Sequence, residues 1–177
     1  MKTLIISLKM FLFFTILTGI LYTLLITGIA QVVFPVKANG SLVSKNNVVI
    51  GSELIGQQFD SPRYFTSRPS AVSYNTLPSG GSNYGWTSAS LKNLVEQRRQ
   101  QFILSNQLDP DTDVPSEMLF ASASGLDPHI SKQSALLQAD RISRVRNFNS
   151  IQKKEMLDLI DERVNVFLLN LKIDSIK

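Results

Sequence analysis

The chain of 177 residues contains no cysteine and a single histidine. Without cysteine there is no disulfide framework and no thiolate chemistry. One histidine excludes a zinc site built from several imidazoles of one chain. Acidic residues are outnumbered, 14 against 18 basic, for a formal net charge of +4. The basic residues are spread along the chain and form no cluster interleaved with aromatics, so nucleic acid is not expected as a partner. Two catalytic signatures are missing as well. No Gly-Lys-Ser/Thr follows the glycine-rich stretch, which rules out a Walker-type phosphate loop. No Gly-x-Ser-x-Gly nucleophile elbow is present.

Charge is also missing, altogether, between residues 10 and 33. That run is the chain's dominant positive feature. About 24 helical residues rise roughly 36 Å, more than the roughly 30 Å hydrocarbon core of a bilayer. Its polar groups are the small Thr15, Thr18, Thr23 and Thr27, with Gln31 at the edge, and no polar face recurs at helical spacing. A signal-peptide core is usually about 7–15 residues, shorter than this run. Gly28 and Ala30 form only a weak cleavage site. The reading is therefore an uncleaved transmembrane anchor over 10–34. Lys2 and Lys9 lie close together on one side, Lys37 and Lys45 more loosely on the other. The denser basic flank marks the cytoplasm, which puts residues 1–9 inside and the bulk of the chain, 35–177, outside. Those roughly 140 residues suffice for one domain with its own core.

The periodicities predict an α+β fold: a single N-terminal membrane helix followed by one compact extracytoplasmic α/β-type domain. Residues 38–41 form a turn, 48–50 a short strand, and Leu54, Ile55 and Phe59 enter the core. The piece 62–71 is extended or irregular, because Pro69 pushes Arg68 out of helical geometry. Either it is a recognition loop, or Tyr64 and Phe65 are buried with Arg63 and Arg68 solvated. In the run 74–86, Gly80 and Gly81 between serine and asparagine permit positive φ and exposed successive amides, a cradle for an anion or a plain tight turn. Thr87 or Ser88 caps a helix to about Leu104, whose Arg98 and Arg99 are solvated near its end. Asp109, Asp111 and Asp113 alternate like a calcium loop, but Val114 stands where glycine is required, so a polar connector is expected. Met118 to Ala121 read as a buried strand entering a small-residue turn. Asp127 or Ser131 then caps a helix to about Arg146, with Leu136, Leu137, Ile142 and Val145 inward. Ser122, Ser124, Asp127 and His129 include the residue types of a nucleophilic triad, yet they crowd into one short segment rather than converging from separate ones. Ser150 caps the next helix, and 163–173 passes from a strand into a helical turn.

Several runs in order resemble the C subunit of the bacterial high-affinity potassium-transporting P-type ATPase, the Kdp complex (KdpC family). They are 38–42 (Ala-Asn-Gly-Ser-Leu), 51–57 (Gly-Ser-Glu-Leu-Ile-Gly-Gln), Tyr64-Phe65 through 68–71 (Arg-Pro-Ser-Ala), Tyr74-Asn75, 79–83 (Ser-Gly-Gly-Ser-Asn) and 121–128 (Ala-Ser-Ala-Ser-Gly-Leu-Asp-Pro). Gln138 with Arg141 and Arg146, and Val164-Asn165-Val166 with Leu169-Asn170-Leu171, complete the series. Two departures stand out: Asp161-Glu162-Arg163 replaces a longer glycine-containing linker, and Leu168 stands where the family commonly has an acidic residue.

The resemblance implies a non-catalytic accessory subunit, not an enzyme, of a bacterial inner-membrane potassium transporter. Its partners would be a potassium-conducting subunit, an ATP-hydrolysing P-type subunit and membrane lipid. It further implies a catalytic chaperone that raises the pump subunit's ATP affinity, with Ser79, Gly80, Gly81 and Ser82 as nucleotide contacts. The chain would have no cofactor of its own beyond that ATP. Arg68, Asn83, Ser124, Asp127, Gln138 and Arg141, polar residues of the matching runs, are the candidates for partner docking. Gly19 and Gly28 are candidates for close packing against neighbouring membrane helices. An outside domain meets no ATP, so topology and the nucleotide role conflict, and docking near the potassium entrance is the favoured reading. The alternative is an anchored extracytoplasmic binding or hydrolytic module unrelated to transport, working through Ser124 and His129.

Overall fold

The computed structural model describes residues 2–176. The chain divides after Ser52 into two compact units. In the first, one continuous helix covers Lys2–Val33, long and apolar enough to cross a membrane. It consists of α1 (Lys2–Ile16), a π-helical turn (Leu17–Tyr22) and α2 (Thr23–Val33), and so begins before the uncharged run. Its leucine, isoleucine and phenylalanine side chains are exposed all round, as lipid contact requires. Three of the run's four threonines satisfy their hydroxyls within the helix. Thr15, Thr18 and Thr23 donate to the carbonyls of Phe11, Phe14 and Gly19 at 2.8, 2.7 and 2.8 Å, which makes them tolerable in hydrocarbon. Pro35 opens the single turn α3 (Pro35–Ala38), where its missing N–H is no loss. An antiparallel hairpin follows, β1 (Leu42–Lys45) with β2 (Val48–Ser52). Asn46 and Asn47 turn it with φ of 53° and 63°, the left-handed pair that suits the twist of a two-residue hairpin loop.

Among the described residues the second unit holds four α-helices: α4 (Ala89–Asn106), α5 (Lys132–Arg146), α6 (Ser150–Asp158) and α7 (Val166–Ile173). A two-stranded antiparallel sheet pairs β3 (His129–Ser131) with β4 (Arg163–Asn165), Ile130 opposite Val164. Each helix start has a local cause. The hydroxyl of Ser88 accepts from Leu91 N–H, that of Ser131 from Ser134 N–H, and the Asn165 side chain from Leu168 N–H. Helix α6 starts one residue earlier than the serine cap implied. Asn149 and Gln152 form a reciprocal capping box there, satisfying two orphan amides at once. Helices α4 and α5 stop at Gln107 and Asn147, both left-handed.

Phe65, Ile142, Met156, Val166 and Ile173 are among the core side chains with no exposure. Phe65 reaches that core from a segment with no strand partner. Residues 62–66 turn at 62–64, where Tyr64 N–H donates to Ser61 O at 3.1 Å, and pass across α5 and α7, and side chains supply the hydrogen bonds a neighbouring strand would have given. Phe65 N–H donates to Asn170 Oδ1 at 2.8 Å, and Asn170 Nδ2 donates to Phe65 O at 2.9 Å. Thr66 N–H donates to Gln138 Oε1 at 2.8 Å, and Gln138 Nε2 returns to Thr66 O at 3.3 Å. Arg141 donates to the carbonyls of Pro62 and Tyr64, and Arg146 to that of Arg63 at 2.8 Å. Burial lowers the Arg141 guanidinium to about 10, so it is still charged at neutral pH. Its Nε donates to Asn106 Oδ1 at 2.8 Å, which ties the segment to the end of α4.

This arrangement corrects several expectations. Leu136 and Val145 face solvent, because the inner side of α5 presents Gln138 and Arg141 to the 62–66 segment and Ser134 to Glu117, as well as Ile142 to the core. Leu54 is exposed too. Met118 to Ala121 are not a strand: Ser116–Met118 is a 3-10 turn set off by Pro115, and only Met118 of the four is buried. Asp127 caps no helix, since β3 lies between it and α5. Arg98 and Arg99 are not merely solvated. They donate to the carbonyls of Leu119 at 2.9 Å and Pro110 at 2.6 Å, pinning the connector along α4. Asp109 forms an Asx turn there, its Oδ1 accepting from Asp111 N–H at 2.9 Å.

Replacing Asn170 by leucine leaves the buried N–H and C=O of Phe65 without partners. At about 1–3 kcal/mol for each such group, Asn170→Leu is expected to destabilise the domain by about 2–6 kcal/mol, read from urea melts followed by circular dichroism. A change within a few tenths of a kcal/mol would show that this pairing does not hold the segment.

Candidate docking site around the glycine-rich loop

The residues singled out in the sequence fall into two groups in space. One group is a pair of interlocked loops. Ser122 N–H donates to Pro69 O at 3.1 Å, and Gly80 N–H donates to Ser124 O at 3.0 Å, so the segments 69–82 and 122–127 rest against each other. Gly125 is the pivot. Its φ is +71°, and a Cβ placed there would lie 2.6 Å from Val72 Cγ2 and 2.9 Å from Gly80 O. Both the left-handed backbone and the close approach demand glycine. A Cβ on Gly81 would meet Ala123 O at 3.2 Å.

Gly80 and Gly81 therefore work differently from the expected cradle. Neither has a positive φ; the left-handed residues nearby are Ser73, Tyr74 and Asn83. The Gly80 amide is committed to Ser124 O and is not free for an anion. The small size of Gly81 serves loop-to-loop contact, whereas a Cβ on Gly80 would meet nothing within 4 Å. Ser79 and Asn83 are exposed, Gly80, Gly81 and Ser82 half-buried.

Two side chains fasten the base of this pair. Arg68 Nη1 meets Asp127 Oδ2 at 2.8 Å, with both groups about three-quarters covered. Asp127 Oδ1 accepts from His129 N–H at 3.0 Å, with the His129 ring nitrogen Nδ1 3.5 Å away. Desolvation pushes the Asp127 carboxyl upward, but the His129 amide and the Arg68 guanidinium outweigh it, holding the group below its usual range. Glu117 behaves alike. Desolvation is outweighed by the Ser134 hydroxyl, by the Ser131 amide and hydroxyl, and by the charge of Arg68. Sequence reasoning missed Tyr74 as a strap: its hydroxyl donates to Arg68 O at 2.7 Å, while Ser70 Oγ accepts from Tyr74 N–H at 2.9 Å. Only the aromatic ring beside a serine-rich turn hinted at it. Burial, then the charge of Asp60, raises the Tyr74 phenol, against an opposing effect of Arg98, so it stays a donor at neutral pH.

The second group, Gln138 and Arg141, lies elsewhere, inside the domain beneath residues 62–66. Gln138 is 0% and Arg141 6% exposed. In this conformation they hold the fold and offer no surface. Arg68, Asn83, Ser124 and Asp127 are the docking candidates that lie on or near the interlocked loops. The triad residue types do not assemble. The hydroxyls of Ser124 and Ser122 accept from the amides of Leu126 and Asp127, and among the described residues neither bonds to His129. Gly19 and Gly28 leave open space beside the membrane helix, with nothing within 4 Å of an added Cβ.

Two measurements check this geometry. Gly125→Ala is expected to cost at least about 1–2 kcal/mol from the left-handed backbone alone, with the overlap on Val72 adding to it, and to speed hydrogen exchange of the Gly80 amide. Because Asp127 and Glu117 titrate lower folded than unfolded, their contribution is complete above the unfolded carboxylate values, about 4, and is lost as pH falls through the lowered ones. The melting temperature should therefore drop steeply below about pH 4, and Asp127→Asn should flatten that slope.

Comparison with known proteins agrees with the series of runs. The family model KdpC, described as the c chain of a K+-transporting ATPase, matches residues 4–175. A potassium-transporting ATPase KdpC subunit from Leptospira interrogans is 42% identical, covering 96% of this chain and 92% of its own length. Those from Methylococcus capsulatus and Dechloromonas aromatica are 41% and 40% identical, covering 97% and 99% of this chain and 96% and 99% of theirs. Because the match takes in the apolar helix and the interlocked loops alike, the chain belongs to the KdpC family of K+-transporting ATPase subunits.

Proposed function

We propose that this chain is a non-catalytic accessory subunit of an ATP-driven potassium-uptake complex. The helix Lys2–Val33 holds it in the bacterial inner membrane, with its N-terminus inside and residues 35–177 outside. The domain docks on the potassium-conducting subunit, and the chain is needed for that subunit to work with the ATP-hydrolysing one. Relatives named as subunits of the same transporter over nearly their whole length support the assignment. They leave little room for a module unrelated to transport.

The observation that carries the docking reading is the commitment of Gly80 N–H to Ser124 O. An amide bonded inside the domain is unavailable to a phosphate, so the Ser79–Ser82 loop is better suited to present a shaped edge to a protein than to wrap ATP. A catalytic-chaperone effect on the pump subunit's ATP affinity would then act through contact between subunits. Gly19 and Gly28 provide the flat places where a neighbouring membrane helix can approach.

Proteoliposomes holding only the potassium-conducting and ATP-hydrolysing subunits are expected to lose potassium-stimulated ATP hydrolysis, and adding this chain should restore it. Normal transport without it would sink the proposal. Ser79→Arg, on an exposed position, should weaken co-purification several-fold while leaving the melting temperature of the isolated chain unchanged. A cysteine at Ser79, in a chain without any other, should react with a membrane-impermeant thiol reagent in intact cells. Labelling only after lysis would place the loop inside and revive direct contact with ATP.

A further inference from the structure

Between the segment 58–74 and α4 lies a cavity of about 640 Å³, wholly within the second unit. Its size falls in the roughly 300–1,000 Å³ range of small-molecule sites. Phe59, Phe102 and Met118 give it an apolar wall. Three charged residues line it: Asp60, Arg98 and Arg141. Arg141 is spent, because its three nitrogens donate to the side chains of Asn106 and Gln138 and to the carbonyls of Pro62 and Tyr64. Asp60 and Arg98 are not. Asp60 Oδ1 accepts from Gln58 Nε2 at 2.8 Å, and Arg98 Nη1 donates to Leu119 O at 2.9 Å. Among the described residues neither joins an ion pair, with the other or with a third group. Both charges nonetheless reach the Tyr74 phenol, which lines the same cavity: burial and then Asp60 raise it, and Arg98 lowers it. Ser67, also on the lining, is 6% exposed, and its hydroxyl has no hydrogen-bond partner among the described residues. A buried hydroxyl is rarely left so.

We infer that this cavity binds a short apolar peptide with free ends, its ammonium group at Asp60 and its terminal carboxylate at Arg98. A guanidinium with N–H groups to spare takes a carboxylate in charge-assisted hydrogen bonds. Asp60 Oδ2 accepts from the ammonium in the same way. A lone anion would leave Asp60 unmatched, and a lone cation would leave Arg98 so; a zwitterion answers both. Asp60 and Arg98 lie beyond ion-pair contact with each other, so the ligand has to span them, and a dipeptide has more reach than a free amino acid. Its side chains lie on Phe59, Phe102 and Met118, and its peptide bond supplies the partner that the Ser67 hydroxyl lacks. Asp60 and Phe59 belong to the segment 58–74, Arg98 and Phe102 to α4. A peptide held by both ties one to the other and stabilises the domain.

The probe is leucyl-leucine, titrated into the full chain in detergent and followed by calorimetry and by melting temperature. It should bind and raise the melting temperature. N-acetyl-leucyl-leucine and leucyl-leucine amide each lack one end charge. Each should bind about tenfold more weakly, the loss of one hydrogen bond to a charged group. Asp60 is exposed, so Asp60→Asn leaves the fold intact. It should weaken leucyl-leucine about tenfold and leave the acetylated peptide unchanged. Arg98→Gln should show the converse with the amide; if the lost bond to Leu119 unfolds it, the Asp60 pair decides alone. No binding at several millimolar overturns the inference. So does an Asp60→Asn loss that is the same for free and acetylated peptide, which marks a structural role. Equal binding of a dipeptide blocked at both ends points to an internal segment of a protein and overturns it too. All of these readings concern the cavity of this chain, so their failure leaves the subunit role standing.

Discussion

A backbone segment that enters a core without a strand beside it must find partners for its amides and carbonyls elsewhere. Here that requirement shapes the domain. Residues 62–66 bring Phe65 to full burial, and Asn170, Gln138, Arg141 and Arg146 reach across to bond the main chain at each of the five positions. Two primary amides act as bidentate clamps, donating and accepting at once, as a strand edge would. Two guanidiniums each collect carbonyl oxygens, and Arg146 also pairs with Asp174 at 2.7 Å. The inner side of α5 is polar for this reason, and α7 carries a buried asparagine among leucines.

From this base the functional surface follows. Once 62–66 is fixed, Arg68 stands within reach of Asp127, and Pro69 O within reach of Ser122 N–H. The two loops then close on Gly125. The loop carrying Ser79 to Ser82 is consequently an outlying part of one continuous chain of contacts that starts in the core. That continuity explains how so irregular a stretch keeps a defined form between Ser52 and α4, where among the described residues no regular helix or strand occurs.

Much of this was legible in the sequence where the cause is local. Ser88 and Ser131 announce their helices, Arg146 closes α5, and the alternation of Val164 and Val166 leads into α7 as expected. The apolar run at the N-terminus reads itself. What escaped reading depends on distant residues. Leu136 and Val145 fit an amphipathic helix on paper, but the side that turns inward is chosen by Gln138 and Arg141, whose backbone partners lie 72 to 79 residues away. Met118 to Ala121 look like a buried strand because nothing nearby shows Glu117 turning aside to Ser131 N–H and the Ser134 hydroxyl. Glycines at 80 and 81 suggested freedom, whereas Gly125 is the one that supplies it.

The amide clamp on Phe65 joins residues 105 positions apart. A chain emerging from the ribosome at about 5–20 residues per second therefore carries an exposed Phe65, with its main chain bonded only to water, for several seconds before Asn170 exists. Until the chain has been made through Asn170, the segment beneath the glycine-rich loop lacks this clamp. A surface that rests on it takes its form only after that point in synthesis.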